Sequence, residues 1–221
     1  MKVLVFGATG TAGTGILRTC LSTSLVREVR AIVRHPLDVH SSKLHAFVHR
    51  DFLDYDTVGE AFVDIDACLY ALGISVRQTS GEEEYRHITQ KLALAAARQV
   101  KARSAGAVFH FLSGEGASLD SRFMWARVKA ETERDLAAVL PTVCWRPGFI
   151  DGGEAPTGPR LYRMLRPTFR VFRFIRSFYV RSEDIGYAML QAQLNGTRSG
   201  VVVNSEIRDL ADKMRGVTLK G

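Results

Sequence analysis

Chemistry enters this sequence at its seventh residue. Gly7-Ala8-Thr9-Gly10-Thr11-Ala12-Gly13 follows a short apolar run, Lys2 to Phe6, and opens a segment, Thr11 to Leu21, that reads as a helix. Three glycines between strand and helix suit the handling of a diphosphate. Gly7 permits the tight turn, Gly10 has no side chain to hold a pyrophosphate off the backbone, and Gly13 lets the helix pack closely on the strand. Thr9, Thr11 and Ala12 belong to the same turn and are counted with the glycines as binding positions. The start of a helix then offers N–H groups and partial positive charge to the phosphates. The plainer alternative is an ordinary strand–helix turn that uses glycine for positive φ.

Arg34 is the second candidate. It lies 21 residues after Gly13, at the end of the second apolar run. A site for NAD places an acid there to accept from the ribose 2′-hydroxyl. Here Arg34-His35 takes the place and no acid appears until Asp38. A guanidinium can hold a 2′-phosphate by two parallel charge-assisted bonds. NADP(H) is therefore expected over NAD(H).

The elements that must position these residues alternate. Strand-like runs at Lys2–Phe6, Val29–Val33, Ala46–Val48, Ala67–Leu72, Val108–Leu112 and Val143–Trp145 are separated by helical stretches, among them Glu82–Arg103 and Phe123–Leu140. Such alternation predicts an α/β fold, a doubly wound parallel sheet of Rossmann type covered on both faces. After Gly148 the pattern loosens, and Gly152, Gly153, Pro156, Gly158 and Pro159 crowd together. The expected division is a nucleotide-binding part over residues 1–150. Residues 151–221 should form a small C-terminal substrate lobe that completes the same domain.

The composition sets further bounds. Of 221 residues, 46% are hydrophobic and 24% charged, which excludes a disordered chain. No apolar run reaches the ~20 residues of a membrane-spanning helix. The N-terminus shows no signal-peptide pattern. Cys20, Cys68 and Cys144 are too far apart for a CxxC motif or a disulfide framework, so a cytoplasmic location is expected. The net charge of +7 has one source. Between Ala155 and Ser182 stand Arg160, Arg163, Arg166, Arg170, Arg173, Arg176 and Arg181, with no acid and with Phe169, Phe172, Phe174 and Phe178 interleaved. This stripe reads first as an exposed arginine face over inward phenylalanines, then as a site for an anionic small ligand. Only weak, salt-sensitive nucleic-acid association is expected of it. His35, His40, His45 and His49 lack ligand partners at metal spacing, so no metal is expected. His110, between Phe109 and Phe111, reads as a buried or face histidine.

Taken together, Gly7–Gly13, Leu72-Gly73, Ser113, Lys129, Arg146-Pro147-Gly148 and Ser182–Gly186 make the chain similar to the extended and atypical short-chain dehydrogenase/reductases. Within that family it resembles the small NAD(P)-binding, NmrA-like and Tat-interacting-oxidoreductase-like proteins, with kinship to the NAD-dependent epimerase/dehydratases. The resemblance implies cofactor-binding roles for Asp51 near the adenine, for Gly73, and for Pro147 and Gly148. It also implies a catalytic Ser–Tyr–Lys set. Ser113 and Lys129 stand at two of those positions, but the tyrosine position holds Trp125 in Trp125-Ala126-Arg127-Val128-Lys129.

An indole N–H donates a hydrogen bond but exchanges no proton near neutral pH. A positioned acid or base contributes ~10²–10⁴ in rate, so family-type chemistry should be crippled unless another group substitutes. No Tyr-x-x-x-Lys occurs elsewhere. Tyr85 and Tyr162 are candidates by segment alone. Lys129 keeps a second task, hydrogen-bonding the nicotinamide ribose. Two readings stay open: an oxidoreductase or epimerase with a non-standard site acting on a small-molecule substrate, and a non-catalytic NADP(H)-binding module that senses redox state or scaffolds a partner. The sequence fixes no oligomeric state.

Overall fold

The computed structural model describes residues 1–152 and 177–218. Seven parallel strands form one sheet: β1 (Lys2–Phe6), β2 (Glu28–Val33), β3 (Leu44–Val48), β4 (Ala67–Tyr70), β5 (Val108–Leu112), β6 (Thr142–Arg146) and a late strand, Gly200–Val203. The first three run outward in the order β3-β2-β1. The chain then returns to lay β4 beside the other edge of β1 and continues through β5 and β6. Between β1 and β4 the winding reverses. In an open α/β sheet, a crevice for ligands opens at that point, outside the carboxyl ends of the strands. The expected Rossmann-type doubly wound sheet is the fold observed.

Helices cover both faces. On one side lie α1 (Thr11–Ser22), α5 (Ser182–Leu194) and α6 (Asn204–Thr218). They bury Val3, Val5, Val29, Ala31, Trp145 and Val202 of the sheet against Ile16, Met189 and Ile207. On the other side lie α2 (Glu82–Arg86), α3 (Leu92–Arg103) and α4 (Met124–Val139). Here Leu4, Phe6, Tyr70, Phe109 and Phe111 pack against Ala93, Ala96, Ala97, Val100 and Leu136. Each fully buried Val, Leu or Phe contributes about 1.5–3 kcal/mol. The expected helix Glu82–Arg103 is present, but a π turn at His87–Lys91 joins α2 to α3.

The described residues after Gly148 return to this core. A two-stranded parallel pair, β7 (Phe149–Asp151) with β8 (Tyr179–Arg181), stands beside the sheet, and Gly200–Val203 joins it next to β6 as β9. Glycines bring α5 onto α1. A Cβ at Gly15 would overlap the Ser182 hydroxyl, and one at Gly186 would come within 2.8 Å of Thr19 Cβ. Across the same contact Thr19 Oγ1 donates to the Glu183 carbonyl at 3.2 Å. Of the arginine stripe, Arg160 to Arg176 lie outside the described residues, as does Tyr162. Arg181 is described, and it pairs with Asp184 through two contacts of 3.1 and 3.2 Å.

Candidate functional site

The glycine turn is built as its spacing suggests. Gly7 holds φ +74°, a conformation that L side chains rarely adopt. A Cβ there would also lie 2.5 Å from the Ala71 carbonyl oxygen, so β4 closes over the turn. A Cβ at Gly13 would overlap the Gly7 carbonyl oxygen. The turn is held by Gly10 N–H donating to Gly7 O at 2.9 Å, and Thr14 N–H then starts the helix on Gly10 O at 3.0 Å. Gly10 is the N-cap residue of α1 and gives it no side-chain cap. Thr9 is exposed beside it, Thr11 is half-buried, and Ala12 is buried under the first turn.

The other expected cofactor residues surround this turn at the carboxyl edge. Arg34 is exposed directly after β2 and makes no hydrogen bond or ion pair among the described residues. Asp51, after β3, turns one carboxylate oxygen into its own loop, where Oδ1 accepts from Leu53 N–H at 3.0 Å. Gly73 lies exposed beyond β4, and a Cβ there would meet nothing within 4 Å. Pro147 and Gly148 are tied into the edge from two sides. The Pro147 carbonyl accepts from Glu115 N–H at 2.9 Å, and Gly148 N–H donates to Asn204 Oδ1 at 2.9 Å.

Ser113, Lys129 and Trp125 gather at the end of β5. Ser113 is buried, and its hydroxyl has no hydrogen-bond partner among the described residues. Lys129 extends from α4 to donate from Nζ to the Leu112 carbonyl at 2.8 Å, 4.7 Å above the Phe111 ring. Burial pushes its ammonium down to about 8, with Glu133 acting in the opposite direction. One turn earlier on α4, Trp125 lays its six-membered ring against Gly114 and Gly116, 3.6 and 3.8 Å from where Cβ atoms would stand. Trp125 therefore faces the loop after Ser113.

The register of α4 is fixed by ion pairs. The buried Glu133 carboxylate takes a two-point grip from Arg146 of β6, at 3.0 and 2.6 Å. On the opposite flank Glu131 pairs with Arg86, and Asp135 accepts from Gln90 at 2.7 Å. Tyr85, next to Arg86 on α2, is buried, and burial raises its phenol. His110 is a core residue. It stacks on Trp145, takes that indole's N–H on Nδ1 at 3.1 Å, and meets Gln193 Oε1 with Nε2 at 3.2 Å. Among the described residues no group of three or more His, Cys, Asp or Glu side chains could hold a metal ion. Sequence reasoning did not single out Glu115, whose N–H donates to Pro147 O at 2.9 Å. It lies between the two glycines under Trp125, and the only sign of it in the sequence was its place in Ser113-Gly114-Glu115-Gly116.

No protein-family model matches the chain. Solved structures place its fold. The Bordetella bronchiseptica enzyme WbmF, in complex with NAD+, superposes with TM-score 0.68 at 16% identity, over 98% of this chain and 78% of that one. The Helicobacter pylori ADP-L-glycero-D-manno-heptose-6-epimerase does so with TM-score 0.69 at 12% identity, over 96% and 82%. The fold is that of the extended short-chain dehydrogenase/reductases and their epimerase and dehydratase members.

Sequence relatives narrow this. A mitochondrial protein fmp52-1 of Aspergillus terreus is 32% identical over 166 residues, 72% of this chain and 70% of its own length. Protein fmp52 of Aspergillus clavatus, also mitochondrial, is 31% identical over 185 residues, 80% and 75%. The mitochondrial FMP52 of Saccharomyces cerevisiae matches at 26% over 96% of both chains. The chain belongs to the FMP52 family. The cytoplasmic location expected from the sequence is overturned by these relatives, which are named as mitochondrial proteins. The three cysteines are free and buried, which does not distinguish one compartment from another.

Proposed function

We propose that this chain is a mitochondrial nicotinamide-dinucleotide-binding protein that acts as an oxidoreductase on a small hydroxyl or carbonyl compound. The observation that carries the reading is the glycine turn. Gly7 and Gly13 occupy positions where any side chain would collide with backbone, and α1 starts at Gly10 without a side-chain cap. A helix start so cleared is suited to a pyrophosphate. WbmF, whose fold this chain shares, has been solved with NAD+. Thr9, Thr11 and Ala12 would line the diphosphate, Asp51 and Gly73 the adenosine half, and Pro147 and Gly148 the nicotinamide half. Arg34, exposed and unpaired, favours NADP(H). Lys129 would hold the nicotinamide ribose, and the unpartnered Ser113 hydroxyl would orient the substrate oxygen. Residues 1–150 would carry the coenzyme, and residues 151–221 would complete the same domain and cover the substrate, which the arginine stripe would suit to an anion.

A second reading, a non-catalytic redox-sensing or scaffold module, is favoured by Trp125 at the position of the phenol. Titration calorimetry of the chain with NADPH and with NADH tests the shared premise. Micromolar binding of at least one is expected, and a protein that binds neither rejects both readings.

A further inference from the structure

Pro147-Gly148 leaves β6 at the carboxyl edge of the sheet and is held there from several parts of the chain. The Pro147 carbonyl accepts from Glu115 N–H at 2.9 Å, which joins the turn to the loop after Ser113. Phe149 N–H donates to Phe178 O at 2.7 Å. A Cβ at Gly148 would stand 2.4 Å from that same carbonyl oxygen, so the two backbones approach too closely for any residue but glycine. One further contact comes from a side chain. Gly148 N–H donates to Asn204 Oδ1 at 2.9 Å.

Asn204 is the first residue of α6, directly after β9, and it is buried. Its amide works in both directions. While Oδ1 takes the Gly148 N–H, Nδ2 donates to the Tyr179 carbonyl of β8 at 3.3 Å. One side chain thus ties the turn after β6 to the strand that flanks it. The task needs an amide, because a carboxylate has no donor for the Tyr179 carbonyl and a leucine of similar shape has neither donor nor acceptor.

We propose that Asn204 is a positioning residue for the nicotinamide half of the coenzyme site and acts through Gly148. The inference rests on the coenzyme reading above, which gives Pro147 and Gly148 to that half. With its N–H taken by Asn204, Gly148 contributes its place, the fixed edge against which the nicotinamide half rests beside the Ser113 loop. The glycine turn at the other end of the site is closed by its own bond, Gly10 N–H on Gly7 O, in which Asn204 takes no part. Loss of the amide therefore acts on one half of the coenzyme. Diphosphate and adenosine keep their contacts, and the nicotinamide loses its support. A residue that served the fold alone would weaken both halves together or neither.

The test compares NADPH with 2′-phospho-ADP-ribose, and NADH with ADP-ribose, by titration calorimetry on the parent, Asn204→Leu and Asn204→Asp. The second probe of each pair lacks the nicotinamide. Asn204→Leu is expected to weaken the whole coenzyme about tenfold, the size of a buried hydrogen bond, and to leave the truncated probe at parental affinity. Asn204→Asp, which keeps the acceptor for Gly148, should fall between. A Leu variant that weakens both probes of a pair equally, or neither, overturns the inference. Amide exchange on the parent gives a measurement independent of any variant's folding. NADPH should slow exchange over residues 147–149 more than 2′-phospho-ADP-ribose does, and equal slowing overturns the inference as well. A parent that binds none of the four probes overturns the coenzyme reading itself.

Discussion

Lys129 Nζ and the Leu112 carbonyl oxygen are joined at 2.8 Å, which anchors the lysine of the motif to the end of β5 directly before Ser113. Trp125, one turn earlier on α4, lays its indole over the loop after Ser113. The parent protein should reduce a panel of aldehydes and ketones only slowly with NADPH. Trp125→Tyr restores a phenol four residues from a desolvated ammonium, and it should raise reduction of at least one of them by up to ~10²–10⁴. Steady-state assays on the two proteins decide this; robust parental reduction that the substitution leaves alone or damages would place the proton donor elsewhere.

Under the proposed coenzyme reading, Arg34 sets the choice between NADP(H) and NAD(H). It is exposed at the carboxyl end of β2 and committed to no partner among the described residues, so a 2′-phosphate would meet an available guanidinium. NADPH should bind more tightly than NADH. Arg34→Ala should remove most of that preference, roughly ten-fold or more, the size of one charge-assisted hydrogen bond. Competitive calorimetry with the two coenzymes measures it, and equal parental affinities would refute it.

The contact of α1 with α5 tests the packing that supports the glycine turn from behind. Gly15 faces Ser182 so closely that a methyl group would overlap the hydroxyl, and Ser182 is fully buried. Gly15→Ala should therefore destabilise the fold by about 1–3 kcal/mol, the usual cost of overpacking, even though alanine is the better helix former. Urea unfolding of parent and variant gives the difference. A neutral or stabilising alanine would mean that α5 moves aside at little cost.

The sheet and the turn were legible in the sequence because their causes are local. Apolar runs alternating with helical stretches give a parallel sheet covered on both faces, and the steric demands on Gly7 and Gly13 come from atoms a few residues away or from the chain just after the adjacent strand. β9 was not legible. Gly200-Val201-Val202-Val203 is four residues long with two valines exposed, and only its pairing with β6 makes it a strand. The π turn at His87–Lys91 left no mark in the helical periodicity either. At the site, Ser113, Trp125 and Lys129 could be placed by motif spacing. The position of Glu115 could not, because it depends on a backbone hydrogen bond to Pro147, more than thirty residues away.

His110 makes the stability of the fold depend on pH in a defined direction. It is fully buried, and its two ring nitrogens are both engaged. The Trp145 indole is donor only, so Nδ1 must accept, and Nε2–H donates to Gln193 Oε1. Gln193 in turn donates to the Asp66 carbonyl at 3.1 Å, which ties α5 to the sheet. A second ring proton would set two donors against each other, and burial pushes the imidazole down to about 4. In the unfolded chain the same group takes its proton near the ordinary value of about 6.5. Between those values the unfolded state binds more protons than the folded one, so stability falls as pH is lowered from about 6.5 toward about 4 and this contribution levels off below. The loss should be about 2 kcal/mol between pH ~7 and pH ~5. His110→Gln keeps a neutral hydrogen-bonding side chain without the titration. It should start less stable, because the fit to Trp145 is poorer, yet show a flatter stability profile over that interval than the parent. Urea unfolding at a series of pH values measures both slopes, and parallel slopes would show that His110 is not what the fold loses in acid.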